Sequence, residues 1–300
     1  MKSQVGQCRV RDAHVDEVQR VLREAGLRPK KTFGQNFLVS GSVASDIAAT
    51  CVPVQEWGRS RVVEIGAGTG ALTALLAQRA RSVCAIERDR ELVPLLMREF
   101  QTNPAVHVIE ADAKSVDLLG LLGSRSESSP RVLCGNLPYA ITGPLLRRAT
   151  ECAQELERVV FMVQDEVSDR LRAAPGTKEY GALTVFVRAT FDVQRVQRVP
   201  PGAFFPPPAV TSAVIELRPL AKSRARETPT FRALVHGAFT ARRKTLRNAW
   251  AGIARDAAGL ARSASQADID LGVRGETLDV EDFARMAAAL ETLTDPQYPL

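Results

Sequence analysis

Four short stretches carry glycine, acidic and amide residues at a spacing that can hold a nucleotide-like ligand against a second, amine-bearing one. The first is Glu64-Ile65-Gly66-Ala67-Gly68-Thr69-Gly70. Glycines there let the backbone approach a ligand closely and turn sharply into a helix whose first N–H groups are unpaired. Gly66-x-Gly68-x-x-Ala71 also fits a relaxed dinucleotide fingerprint, so the loop does not separate one nucleotide from another. Glu87, twenty-one residues after Gly66, can accept hydrogen bonds from both hydroxyls of a ribose. NAD and S-adenosylmethionine both carry that sugar, and in isolation Glu87 is equally an ordinary strand-end charge. Asp112, in Glu110-Ala111-Asp112-Ala113, can accept an exocyclic adenine amine or cap a helix; its place in an ordered set favours the former.

The fourth stretch is Asn136-Leu137-Pro138-Tyr139. Leu137 precedes proline and is pushed to an extended conformation, which can turn backbone carbonyls toward a ligand. An adenine N6 is a poor nucleophile because its lone pair is delocalised into the ring. The side-chain oxygen of Asn136 and a carbonyl of Leu137 or Pro138 have the polarity to receive its two N–H groups, and Tyr139 can stack on an extruded base. Such a site works mainly by positioning. Asparagine is no general base, so the proton leaves to water.

These residues need a scaffold, and the surrounding pattern supplies one. Arg61–Ile65, Ser82–Glu87, Val106–Glu110, Arg131–Gly135 and Arg158–Val163 read as strands. Ala71–Arg81, Asp89–Gln101 and Pro144–Glu155 read as helices between them, with Gly123–Pro130 a loop. Strands alternating with helices give an α/β, Rossmann-like, doubly wound and mostly parallel sheet. In such a sheet ligands sit beyond the carboxyl ends of the strands, where all four stretches fall. Tyr180–Thr190 reads as helix. Phe191–Val199 and Ala213–Leu217, joined by the proline-rich Pro200–Pro208, read as an antiparallel edge hairpin. Ahead of the sheet, His14–Ala25 repeats apolar residues at helical spacing, and Gly26 ends it. The expected organisation is an N-terminal extension and helix over 1–27, a nucleotide-binding domain over 28–221 and a small C-terminal all-helical domain over 222–300.

The 300-residue chain is ordinary in hydrophobic and charged content, which excludes global disorder, and its net charge is +6. The placement of that charge is informative. Lys222, Arg224, Arg226, Arg232, Arg242, Arg243, Lys244, Arg247 and Arg255 are opposed only by Glu227, and Arg20, Arg23, Arg28, Lys30 and Lys31 form a second cluster. Clustered cations suit a polyphosphate partner, although a solvated face has the same appearance. The five cysteines Cys8, Cys51, Cys84, Cys134 and Cys152 include no C-x-x-C pair, which reads as a reducing cytoplasm and no metal site. No secretory leader or membrane-length apolar run is evident.

Taken in order, these motifs resemble the ribosomal RNA adenine N6-dimethyltransferases, in particular the bacterial small-subunit dimethyladenosine transferases of the kasugamycin-sensitivity type. The resemblance runs from about His14 to about Leu290. It includes Lys30-Lys31-Thr32-Phe33-Gly34-Gln35-Asn36-Phe37-Leu38, Val63-Glu64-Ile65-Gly66, Glu87, Asp112 and Asn136-Leu137-Pro138-Tyr139. It continues through Val199-Pro200-Pro201-x-Ala203-Phe204, Pro206-Pro207-Pro208-x-Val210-x-Ser212-Ala213-Val214 and Arg242-Arg243-Lys244-Thr245-Leu246-Arg247-Asn248.

The resemblance implies S-adenosyl-L-methionine as cofactor, held by Asn36, Leu38, Gly66, Glu87, Asp112 and Asn136, with Gly68 in the same loop. It implies that Tyr139 and Phe204 hold the target adenine. It implies two methylations of each of two adjacent adenines near the 3′ end of 16S rRNA, on the immature 30S subunit; nothing in the sequence demands more than a monomer. The helical domain, with Arg242, Arg243, Lys244 and Arg247, and the Lys30-Lys31 pair would grip the RNA. Ala67, Ala140 and Thr142-Gly143 depart from the usual pattern. Alternatives are a 23S rRNA adenine methyltransferase of the macrolide-resistance type, a mainly non-catalytic ribosome-assembly factor, and an NAD-dependent oxidoreductase.

Overall fold

The computed structural model describes residues 16–123 and 129–294. Residues 1–13, Cys8, the start of the helix expected from His14, and most of the loop expected before Pro130 lie outside them. The chain begins with α1 (16–24), β1 (Phe37–Leu38) and α2 (Gly41–Cys51). There follow β2 (Arg61–Ile65), α3 (Ala71–Ala77), β3 (Ser82–Glu87), α4 (Val93–Glu99), β4 (Val106–Glu110), α5 (Leu118–Leu122), β5 (Arg131–Asn136), α6 (Thr142–Glu151) and β6 (Arg158–Gln164). Next come α7 (Asp165–Arg172), α8 (Ala182–Arg188), β7 (Phe191–Val199), β8 (Phe204–Phe205) and β9 (Ser212–Pro219). The last helices are α9 (Pro229–Thr240), α10 (Leu246–Ala249), α11 (Ala257–Gln266) and α12 (Val280–Thr294).

The seven-stranded sheet has the order β4-β3-β2-β5-β6-β9-β7. The pairs from β4 to β6 are parallel, and β9 joins β6 antiparallel with Val163 opposite Ala213. This is the doubly wound sheet with an edge pair that the sequence pattern predicts. The apolar runs follow from coverage on both faces: the last four residues of β2, and the first five of β5, are buried. Helices α2 and α7 are among the elements not apparent from periodicity. In α2, Ser40 caps the helix by accepting from the Val43 N–H, and Val43, Ala44, Ile47, Ala48 and Cys51 are buried. In α7, Asp165 and Glu166 occupy the first turn and Arg170 and Arg172 the last, matching the helix dipole at both ends. Helix α3 stops at Ala77, short of the expected Arg81: the Arg79 N–H bonds the Leu76 carbonyl three residues back, and the Arg81 N–H goes to the Ser60 carbonyl.

The chain forms two compact units. The first comprises the described residues up to Ser168 with Gln194–Arg218; the second comprises Asp169–Val193 with the residues from Pro219 onward. In the first, Val62, Val83, Val132, Val160 and Val214 pack with residues of α2 and α3. A smaller cluster joins Val18 and Leu22 of α1 to Phe37, Val39 and Leu92. The second unit has its own core, centred on Phe231, Trp250, Phe283 and Met286. The buried Trp250 donates from Nε1 to the Leu234 carbonyl at 2.9 Å. The chain's other tryptophan, Trp57 of the first unit, is 50% exposed beneath the Arg79 guanidinium.

The chain winds outward from β2 through β3 to β4, then returns to the other side of β2 with β5. The carboxyl ends of β2 and β5 therefore lie side by side at the switch point, the usual place for a ligand. Gly135 makes this approach possible. A Cβ built there would lie 2.2 Å from the Ile65 carbonyl oxygen, whereas one at Gly143 in α6 meets nothing within 4 Å. Gly135→Ala is expected to cost at least the ~1–3 kcal/mol of an overpacked core. Gly143→Ala should be neutral or stabilising by up to about 1 kcal/mol. Denaturant unfolding of the two variants checks this; equal midpoints would show that the strands separate freely.

Candidate active site

A cavity of about 260 Å³ opens at this switch point. Its floor is the end of β2 and the turn that follows, from Glu64 to Thr69. Glu87 ends β3, Asp112 follows β4, and Asn136 through Ile141 form the wall after β5. The remaining wall includes the segment Thr32–Leu38. Asn36, Leu38, Gly66, Gly68, Glu87, Asp112, Asn136, Leu137, Pro138 and Tyr139 are thus brought together around one space. Gly68 has a left-handed φ of 59°, and its N–H donates to Glu87 Oε2 at 2.8 Å. A Cβ on Gly68 would press the Phe37 ring at 3.2 Å. The glycine thereby lets the loop, the strand-end carboxylate and the N-terminal wall close on each other.

Two buried carboxyl groups differ in how they are satisfied. Glu87 receives three backbone N–H groups, from Gly68 on Oε2 and from Arg88 and Asp89 on Oε1. Burial nonetheless pushes its carboxyl above the usual range, against these three hydrogen bonds. By lone-pair count, Oε2 retains an acceptor site. Glu64, 2% exposed, has a hydrogen bond from Thr73 Oγ1 at 2.6 Å. Burial drives its carboxyl up to about 8, the Thr73 bond opposes this, and the neighbouring Glu87 charge adds to it. Glu64 is a neutral acid at pH 7. Asp112 Oδ1 accepts the Lys114 N–H and shapes a turn, while Oδ2 faces Arg88 and Lys114 at 3.6 and 3.7 Å.

The turn after β5 is held from three sides. The Leu137 N–H donates to the Met162 carbonyl, the Tyr139 hydroxyl shares a 2.8 Å hydrogen bond with the buried Ser212, and Asn136 Nδ2 donates to the Asn36 carbonyl at 2.9 Å. Because a carbonyl can only accept, the Asn136 amide nitrogen must face Asn36, which leaves Oδ1 as the acceptor for another group. Phe204 lies elsewhere: it is 3% exposed, paired with Leu38 in the two-stranded β1–β8 sheet, and packed in the apolar core without lining the cavity.

The cations divide into engaged and open ones. Lys30 Nζ binds Asp89 at 2.7 Å and Glu91 at 2.9 Å. Arg242 binds Glu276 and the carbonyls of Thr177 and Lys178. Arg243, Lys244 and Arg247 are exposed. The side chain of Lys31 lies outside the described residues. Sequence reasoning misses Asp89, Gln35 as a polar tie, Ser212 and Glu64. The first three are visible there only as neighbours of Glu87 or as members of longer motifs, and Glu64 only as the residue that opens the glycine stretch, with no role of its own. Among the described residues, no three or more His, Cys, Asp or Glu side chains are grouped to hold a metal, and no helix is long and apolar enough to cross a membrane.

Glu64 makes a pH test possible. Its folded value, about 8, is raised above the ordinary 4.5. Its contribution to stability is therefore fully present below the unfolded value and is lost as pH rises through the folded one. Glu64→Gln keeps an acceptor for Thr73 and removes the titration. Melting temperatures measured from about pH 5 to 8 should show the wild type falling relative to this variant as pH rises. Parallel curves would place a charged carboxylate in the strand.

Comparison with known proteins agrees with this arrangement. A chain from Geobacter metallireducens, named ribosomal RNA small subunit methyltransferase A, is 41% identical over 276 residues, covering 91% of this chain and 99% of that one. The crystal structure of a dimethyladenosine transferase from Plasmodium falciparum has the same fold, with a TM-score of 0.71 at 22% identity over 85% of this chain and 98% of that one. The structure of the 23S rRNA methyltransferase ErmE superposes with a TM-score of 0.60 at 25% identity, over 85% and 100%. The family model for ribosomal RNA adenine dimethylase matches residues 26–292, and this chain, with its acceptor-lined cavity where β2 and β5 meet, belongs to that family of methyltransferases.

Proposed function

We propose that this chain transfers methyl groups from S-adenosylmethionine to the N6 atoms of two adjacent adenines near the 3′ end of 16S rRNA, on the immature small subunit in the cytoplasm. The observation that carries the reading is the fixed amide of Asn136. Its nitrogen is committed to Asn36, its oxygen is left to accept, and it stands at the strand end beside the glycine turn. The cavity's chemistry fits the methyl donor. Glu87 offers an acceptor for ribose hydroxyls, Asp112 for an adenine amine, and the turn at Gly66 and Gly68 admits a ligand against the backbone. Bound there, the donor supplies a methyl group on a sulfonium.

The protein's part is to orient. Asn136 Oδ1 and a carbonyl of the Leu137-Pro138 turn receive the N6 hydrogens. Tyr139, anchored by Ser212, presents a ring to the base, and water takes the released proton. Phe204, in the apolar core under β1–β8, would reach the base only after local rearrangement. The small-subunit reading is favoured over the large-subunit one because the relative named for that subunit is 41% identical over nearly its whole length, against 25% for ErmE.

The direct test incubates the protein with unmodified small and large subunits and labelled donor, then analyses nucleosides by mass. Dimethyladenosine in the small subunit is expected; label in the large subunit alone would overturn the assignment. Asn136→Ala should lower kcat on the order of 10²-fold while donor binding survives in part, and unchanged turnover would remove the role given to the amide.

The second unit, with its basic segment, is proposed to grip the RNA through Arg243, Lys244 and Arg247. Lys30 and Arg242 are excluded from this set because acidic partners within the chain hold them. Neutralising Arg243, Lys244 and Arg247 should weaken RNA binding and flatten its log–log salt dependence by about one unit for each phosphate left without its cation. Arg242→Ala should act on stability instead. An unaltered slope in the triple variant would leave the cluster as a solvated surface.

A further inference from the structure

One wall of the cavity, Thr32–Leu38, belongs to a strap, Lys30–Leu38, whose only regular structure is a single 3-10 turn and the two residues of β1. Asn136 and β8 hold its far end, and a side chain outside the strap holds its beginning. Asp89 is 4% exposed, and both of its oxygens are used by strap residues: Oδ1 accepts from Lys30 Nζ at 2.7 Å and Oδ2 from Gln35 Nε2 at 2.8 Å. The strap closes on itself behind these bonds, because Gln35 Oε1 accepts the Lys30 N–H at 2.7 Å. The Phe33 ring then lies within 5.6 Å of both the Lys30 and the Arg88 cations. The backbone of Asp89 meanwhile holds Glu87, since its N–H donates to Glu87 Oε1 at 2.8 Å. A single residue thus joins the carboxylate at the end of β3 to the strap.

We propose that Asp89 is a positioning residue for the methyl donor: it sets donor affinity by holding the strap at Lys30 and Gln35 while fixing Glu87. The inference rests on the donor assignment above. A hydrogen bond between a buried charge and its partner is worth enough to change binding by about tenfold when it is removed. Because Lys30 and Gln35 lie in the part of the strap that precedes the β1–β8 pairing, the effect should fall on donor binding rather than on the fold.

The test is calorimetric binding of S-adenosylhomocysteine to the full-length protein, with steady-state kinetics in parallel. Asp89→Asn, and separately Lys30→Ala with Gln35→Ala, should each weaken binding about tenfold or more. They should raise the donor KM far more than they lower kcat. Combining Asp89→Asn with Gln35→Glu exchanges donor and acceptor across the same pair and places a carboxylate beside Lys30, so binding should recover. If the wild type binds no S-adenosylhomocysteine, the donor assignment fails and this inference with it. If the wild type binds and Asp89→Asn binds equally, the inference alone is overturned. It is also overturned if Asp89→Asn loses binding while the strap variants and the exchanged pair leave affinity unchanged from their parents, because Asp89 would then act only through the β3 turn.

Discussion

The site exists because two parallel strands that are distant in sequence end side by side, with nothing between their backbones. Strand β2 starts the winding in one direction and β5 resumes it in the other, so their carboxyl ends meet where the crossover helices part. The separation there is set by main chain alone. The Ile65 carbonyl occupies the space that a side chain at position 135 would need. The amide at Asn136 and the glycine turn at Gly66 are consequently placed by the sheet. Rigid sheet ends make better supports for a positioning reaction than loops do.

Around that junction the structure uses opposite strategies for acidic groups. Glu87 and Asp89 are surrounded by donors. Burial opposes the charge on Asp89, but the hydrogen bonds from Lys30 and Gln35 outweigh it and keep the carboxyl below its usual range. Glu64, two residues before the turn, has a single hydroxyl partner and stays protonated. A second full charge beneath the cavity would repel Glu87 in a medium of low dielectric. The neutral acid keeps the electrostatics of the pocket in the hands of Glu87 and Asp112.

Much of this is legible in the sequence. Strands β2, β3, β4 and β7 have the bounds that their β-branched runs predict, and the glycine turn, Glu87, Asp112 and Asn136 share one cavity as their strand-end positions require. What escapes depends on partners far away in the chain. Strands β1 and β8 have two residues each and exist only because Phe37 finds Phe205. Lys30 reads as a free cation because its acid lies 59 positions later, and Arg242 likewise pairs with Glu276, 34 positions on. Charge clustering counts such residues as open; only three-dimensional neighbours distinguish Arg242 from Arg243. Phe204 is the converse case, a motif residue that packing holds in the core.

The two tryptophans bring a practical consequence. Trp250 sits in an apolar core with its indole N–H on a carbonyl, while Trp57 is half in solvent under a guanidinium. Each compact unit therefore carries one tryptophan, and the two have contrasting polarity around the ring. Emission from the shielded indole lies to the blue and shifts red when its surroundings melt, whereas the surface ring begins near the red limit. The chain is thus equipped to report the loosening of its helical unit optically, without any added dye.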